Sequence, residues 1–200
     1  MILSLRHRSQ SMLKIQGSRF VGFAIPVDSE EEAKREVAQI VREHPDATHC
    51  CFAYQIGHGD AAVARSDDAG EPAGSAGAPI LQVIRGRGLE NLIVVVIRYF
   101  GGTKLGIGGL ARAYRDAAKA ALDAGVVTQR EALRRLRVSV PLALVGEARS
   151  QLARLGGEVL GEIYDSRAEL SLAIGESRVE ELRRSLDELT RGAARWEENP

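Results

Sequence analysis

The stretch Leu92-Ile93-Val94-Val95-Val96-Ile97 constrains this chain more than any other. Five of its six residues are β-branched and none is polar, so it reads as a strand buried on both faces. A glycine cluster follows at once, at Gly101, Gly102, Gly106, Gly108 and Gly109. An alanine-rich helix is predicted over Leu110 to Ala124, with Gly125 as its C-cap. The chain therefore presents a buried strand, a glycine loop and a helix in direct succession.

Around this unit the pattern is mixed. Met12 to Ile15 and Phe20 to Val27 read as strands about a turn at Gly17-Ser18. Ser29 followed by Glu32 fits a capping box, and Ala33, Val37, Ile40 and Val41 form the apolar stripe of the helix it opens, which Pro45 ends. His49 to Ile56 is a third strand. From Gly57 to Pro79 lies a loop too long for an idle connector, and Ile80 to Ile84 opens a short helix ending near Gly86. Residues 126 to 131 read as a linker, which divides the chain into domains 1–130 and 131–200. In the second, strands Leu133 to Val140, Val159 to Tyr164, Ala168 to Ile174 and a short one at Ala193 to Glu197 alternate with helices Leu144 to Leu155 and Val179 to Leu189. The order β-α-β-β-α-β is that of a ferredoxin-like domain, so the whole is read as α+β.

Charge is balanced overall, with 27 Lys/Arg against 27 Asp/Glu. Net zero excludes a wholesale polybasic nucleic-acid coat or an acidic tail protein. The balance is uneven locally. Arg85 to Lys119 holds seven basic residues opposed only by Glu90 and Asp116, whereas Asp60 to Glu71 holds four acids against Arg65. No apolar run approaches the roughly 20 residues of a membrane span, and Met1 to Ser11 lacks the apolar core of a signal peptide. The two cysteines, Cys50 and Cys51, are adjacent, and neighbours on a strand face opposite ways, so they make a poor disulfide. A reducing cytoplasm is the simplest compartment.

Two loops carry the candidate chemistry. In Arg98-Tyr99-Phe100-Gly101-Gly102-Thr103-Lys104-Leu105-Gly106-Ile107-Gly108-Gly109-Leu110, glycines let backbone N–H groups approach an anion and a helix N-terminus adds partial positive charge. Arg98, Lys104, Arg112 and Arg115 supply formal charge. The pattern suits phosphate, whether free, on a nucleotide or on a nucleic-acid backbone; the bland alternative is that the glycines only allow tight packing. A Walker A loop fails because Lys104 precedes Leu105, and the dinucleotide fingerprint is matched weakly. No cofactor is expected. In the second loop, Asp67, Asp68 and Glu71 could bind Mg²⁺ or move protons, or could equally cap a helix or neutralise the basic loop. His49 could add one imidazole, but no second ligand pair accompanies it, so no metal site is assigned. The C-terminal domain has the topology of an RNA-recognition module without its base-stacking aromatics, since only Tyr164 lies on a central strand. Protein contact, or docking on a nucleic-acid backbone, suits it better.

At these loops the sequence resembles the IMPACT/YigZ family. The resemblance rests on Gly17-Ser18-Arg19-Phe20, His44-Pro45-Asp46-Ala47-Thr48-His49-Cys50, the run from Asp67 to Gly77, and the run from Val95 to Tyr114. One departure is visible: Ala69 interrupts the family's Asp-Asp-Gly-Glu-Pro. The resemblance implies an N-terminal fold shared with the second domain of a small-subunit ribosomal protein and with domain IV of elongation factor G, then a ferredoxin-like domain. It implies a role in translation by analogy with eukaryotic members. The resulting expectation is a cytoplasmic protein that binds RNA or the ribosome through Arg98, Tyr99, Gly101, Gly102, Lys104, Gly106, Gly108, Gly109, Arg112 and Arg115. An enzyme acting on a phosphorylated small molecule and a protein-interaction module are the alternatives.

Overall fold

A computed structural model describes residues 1–58 and 62–197; Asp60, counted above among the acids of the second loop, lies outside the described residues. The chain forms two compact units, Met1–Arg130 and Glu131–Pro200. The first contains β1 (Ile2–Leu5), β2 (Ser9–Ile15), β3 (Ser18–Pro26), α1 (Glu30–Glu43), β4 (His49–Ile56), β5 (Val63–Asp67), α2 (Gly77–Gly86), β6 (Leu92–Tyr99), α3 (Gly106–Asp123) and β7 (Val127–Arg130). The second contains β8 (Leu133–Val140), α4 (Val145–Arg154), β9 (Glu158–Tyr164), β10 (Ala168–Gly175), α5 (Val179–Thr190) and β11 (Arg195–Glu197).

In the first unit an antiparallel sheet runs in the order β2-β3-β6-β4-β5. The apolar run sits in its central strand, β6, with every residue from Leu92 to Ile97 fully buried. Leu92, Val94 and Val96 point into one core with α2 and α3, while Ile93, Val95 and Ile97 join a second core that includes Ala33 and Ile40 of α1. Helices thus cover both faces, as a strand without a polar side requires. The alanines of α3 have a packing reason. A Cβ on Gly22 of β3 would stand 2.7 Å from the Ala117 carbonyl oxygen and 3.0 Å from the Ala121 Cβ. Small residues on both partners let helix and sheet close, and larger ones would hold them apart. α1 starts as expected, with Ser29 Oγ accepting the Glu32 N–H and Glu32 Oε2 accepting the Asp28 N–H.

Strand register brings four loops to one end of this sheet. Ile15 pairs with Ser18, Arg19 with Tyr99, His49 with Arg98, and Phe52 with Asp67. The β2–β3 turn and the α1–β4, β5–α2 and β6–α3 loops therefore emerge together, as do the N-termini of α2 and α3.

Three expectations change. Residues 126–131 are not a plain linker, because β7 pairs with β1 at the N-terminus, Leu5 opposite Val127 and Ile2 opposite Arg130. A four-residue pair so distant in sequence leaves little local signal. The Gly57–Pro79 loop contains β5, a largely exposed edge strand with weak alternation. Finally, α3 begins at Gly106 rather than Leu110. Glycine propensity argues against that start, but the buried Leu110, Ala113 and Tyr114 fix the helix and carry its first turn through the glycines.

In the second unit the sheet order is β11-β8-β10-β9, all antiparallel. Leu152 of α4 and Leu182 and Leu186 of α5 pack with Leu136, Val138, Leu170 and Leu172 in one core.

Candidate functional site

The loop end of the first sheet has a buried polar node and an exposed rim. At the node, Glu71 Oε1 accepts from Arg98 Nη1 at 2.8 Å and from the Tyr114 hydroxyl at 2.8 Å. The Glu71 and Arg98 side chains are only 4% and 6% exposed, so this is a buried ion pair with hydrogen-bond support. Arg98 Nη2 also donates to Ser18 Oγ at 3.3 Å, and the Gly101 N–H donates to the same oxygen at 3.2 Å. The Arg98 guanidinium lies 5.5 Å from the Phe20 ring centroid and 5.4 Å from that of Phe100. Glu71 thus joins the acidic loop to the strand that feeds the glycine loop, and the two loops meet.

The acidic loop is shaped by its own carboxylates. Asp68 accepts the N–H groups of Gly74, Ala76 and Gly77, each at 2.8 Å. Burial opposes its ionisation, but the three backbone donors outweigh that and hold its carboxyl below the ordinary range. Asp67 Oδ1 accepts the Ala69 N–H at 2.7 Å. Ala69, the interrupting residue, takes a left-handed φ of +45°, a conformation unfavourable for a residue with a Cβ. Its carbonyl lies 2.9 Å from His49 Nδ1. A carbonyl only accepts, so Nδ1 carries the proton, and Nε2 faces Glu71 Oε2 across 3.9 Å.

The glycine loop divides into packed and open positions. A Cβ on Gly101 would fall 1.9 Å from the Gly17 carbonyl carbon and 2.4 Å from the Ser18 nitrogen, so this glycine allows the loop to touch the β2–β3 turn. At Gly109 the Leu105 Cβ stands at 3.1 Å. By contrast, nothing lies within 4 Å of a Cβ built on Gly102, Gly106 or Gly108. These three glycines border the start of α3, which has no side-chain cap and no acid in its first turn. Its leading N–H groups are the orphan donors of any helix start and carry its positive pole. Lys104 and Arg112 are exposed beside it with no ion pair among the described residues. Arg115, Lys119 and Arg112 continue along the exposed face of α3 at helical spacing, with Arg115 Nη2 3.4 Å from Gln82 Oε1.

The Impact N-terminal domain model matches residues 16–122, which span all four loops, and a domain of unknown function (DUF1949) matches 138–193. The IMPACT family member YvyE of Bacillus subtilis is 34% identical over 190 residues, covering 94% of this chain and 87% of that protein. The chain belongs to the IMPACT family. The family member YigZ of Escherichia coli is 32% identical over 182 residues, 90% of this chain and 89% of its own. A crystal structure of a hypothetical protein, 29% identical, superposes with a TM-score of 0.75 over 100% of this chain and 98% of the other.

Within this IMPACT protein the ten residues expected to form one anion-binding group separate. Arg98 is buried and neutralised by Glu71, so it is withdrawn from the exposed surface. Tyr99 is half-buried, its hydroxyl 2.8 Å from His44 Nδ1 and its ring 4.0 Å beneath the Arg19 guanidinium. Gly101 and Gly109 serve contacts within the fold. Gly102, Lys104, Gly106, Gly108, Arg112 and Arg115 remain at or beside the open rim. Of the acidic group, Glu71 and His49 come together, while Asp67 and Asp68 are occupied by backbone donors. Among the described residues no group of three His, Cys, Asp or Glu is arranged to hold a metal, and no helix is long and apolar enough to cross a membrane.

Residue-by-residue reasoning missed Ser18, Thr48 and Tyr114. Tyr114 carried a usable signal: it falls in the stripe Leu110, Ala113, Tyr114, Ala117, Ala118, Ala121 of α3, and a buried phenol needs a polar partner. Burial, then the neighbouring Cys51 and Glu71, push its hydroxyl far above the ordinary value. Cys51 is likewise pushed up to about 12 by burial, and its Sγ lies 3.0 Å from the Asp68 carbonyl oxygen. Both groups hold their protons at neutral pH and act as donors.

Proposed function

We propose that this IMPACT-family protein is a cytosolic regulator of translation that binds RNA, alone or in the ribosome, through phosphates seated at the start of α3. The observation that carries this is the open space around Gly102, Gly106 and Gly108 beside an uncapped helix start and two unpaired cations. A packing role accounts for Gly101 and Gly109, and left-handed φ values of +87° and +68° call for glycine at Gly102 and Gly106, but neither reason applies to Gly108, and the space beside all three stays open. The basic face Arg112, Arg115, Lys119 extends the same potential along α3. The family's eukaryotic members, to which the resemblance points, favour translation over other RNA roles. We further read the first unit as the fold of elongation factor G domain IV and the second as ferredoxin-like; the strand order β11-β8-β10-β9 with α4 and α5 in one core supports the latter. Protein contact through the second unit completes the reading.

The test is binding of labelled RNA and of ribosomal subunits across a salt series. Each phosphate contact on a single strand contributes a slope of about 0.7 in log K against log salt. Lys104→Ala with Arg112→Ala should therefore weaken binding and flatten the slope by roughly 1–2. Equal affinity and equal slope for wild type and the double variant would remove this surface from consideration.

A second reading, an enzyme acting on a phosphorylated small molecule, is favoured by one observation. His49 Nε2 and Glu71 Oε2 face each other at 3.9 Å, with His49 Nδ1 held by the Ala69 carbonyl. A ligand hydroxyl could donate to Glu71 Oε2 while lying against His49 Nε2. Thermal stabilisation by nucleotides or sugar phosphates that vanishes in His49→Ala would support this reading over the first.

A further inference from the structure

Phe100, which precedes the glycine loop, is 47% exposed, and Ile107, between Gly106 and Gly108, is 65% exposed. Exposed aromatic side chains on a loop are common enough singly, but the mounting of Phe100 is unusual. Its backbone N–H donates to Thr48 Oγ1 at 3.1 Å. Two residues earlier, the Arg98 carbonyl accepts the Thr48 N–H at 2.8 Å, and the next residue, Gly101, is held on Ser18 Oγ and against Gly17. The ring lies 5.4 Å from the guanidinium of Arg98, which is itself fixed by Glu71 and Ser18. The scaffold thus presents an aromatic ring on a pinned backbone, one residue ahead of the glycine loop and near the phosphate rim.

We infer that Phe100 is a stacking platform for an unpaired base, so that this surface selects single-stranded over double-stranded RNA. The inference rests on the phosphate-binding reading of the same rim and narrows it. A ring carried on a backbone fixed before binding leaves less to be ordered when a base lands on it. Stacking is sequence-tolerant because every base has a π-face, and it needs a base that is not already paired and stacked in a helix. The cations alone do not discriminate: Lys104, Arg112 and Arg115 attract either kind of strand. Ile107, exposed in the first turn of α3, adds apolar surface to the same rim.

The experiment compares an unstructured 12-nucleotide RNA with the blunt 12-base-pair duplex of the same sequence, by fluorescence anisotropy with the full chain. Wild type should bind the single strand more tightly. Phe100→Leu should weaken single-strand binding roughly 5- to 160-fold, the range for loss of one stacked base, with the salt slope unchanged. Phe100→Tyr, which keeps the ring, should bind like wild type and controls for folding. Equal affinity for strand and duplex, or undiminished single-strand binding by Phe100→Leu, overturns the stacking platform while leaving the phosphate rim standing. Failure of the wild-type protein to bind either RNA at low salt overturns both, and points to a protein partner for Phe100 and Ile107.

Discussion

Replacing Glu71 by alanine should be among the most damaging single changes in the first unit. The variant leaves Arg98, 5% exposed, without its counter-ion. Arg98 Nε is already buried without a hydrogen-bond partner, so the Ser18 bond and the neighbouring Phe20 and Phe100 rings would be left to hold the charge. The Tyr114 hydroxyl would lose its acceptor as well. Removing one partner of a buried ion pair costs about 3–5 kcal/mol, because the surviving charge stays desolvated. A stranded phenol adds to this, though not independently. Set against a total stability of about 5–15 kcal/mol for an ordinary domain, the loss is large enough to lower the urea midpoint markedly. Glu71→Gln keeps a carbonyl oxygen that can accept from both partners, so it should lose less. The decisive comparison is Glu71→Met with Arg98→Met. Removing both charges at once strands neither, so the pair should be substantially more stable than the sum of its single variants. Urea unfolding followed by circular dichroism on all four proteins gives the coupling energy. A cost below about 1 kcal/mol for Glu71→Ala, in the range of exposed pairs, or strict additivity in the double variant, would refute the claim that a buried pair ties the two loops together.

Three further outcomes follow from single observations. Gly101→Ala should destabilise strongly, since its Cβ would overlap the Gly17–Ser18 backbone at 1.9–2.4 Å, whereas Gly108→Ala, helical with open space, should raise the melting temperature by the equivalent of about 0.5–1 kcal/mol. Asp68→Asn should cost about 2 kcal/mol at neutral pH, as charge-assisted bonds to three N–H groups are lost; because the folded carboxyl titrates below its ordinary 3.8, wild type holds this advantage above that value and loses it as pH falls through the lower folded value, so the two stability curves should converge in acid. Cys50 and Cys51 should resist alkylation at pH 8 until the protein is unfolded, since burial raises their thiols to about 11 and about 12 and leaves at most about one Cys50 thiolate in a thousand.

Much of the fold was legible because its main elements are periodic. The apolar run of β6, the capping box of α1 and the apolar stripe of α5 each carry their own local signal. β1 and β7 do not, being four residues each and stabilised by a partner about 125 residues away in sequence. The start of α3 was misplaced for a related reason. Glycine propensity opposes a helix at Gly106, yet the packing of Leu110 and Tyr114 decides it, and tertiary contact overrides a preference of about 1 kcal/mol per residue.

The site was legible in outline and misleading in detail, because sequence reports charge but not burial. Arg98 and Lys104 look equivalent in a count of basic residues. Arg98, however, is the seventh residue of the central strand, where alternation places Arg98 on the same face as Val96 and Val94, toward α2 and α3. A guanidinium on that face must find a carboxylate, and the acidic loop supplies Glu71. Lys104 lies beyond the strand on the exposed loop and meets no such demand. The acidic and basic glycine loops are therefore not two halves of one open charge pattern. One acid and one base from them cancel in the interior and fix the loops against each other, and the cations left over at the start of α3 form the exposed rim. A chain whose formal charges sum to zero can in this way keep a localised positive site, provided that the pair consumed in positioning it is buried.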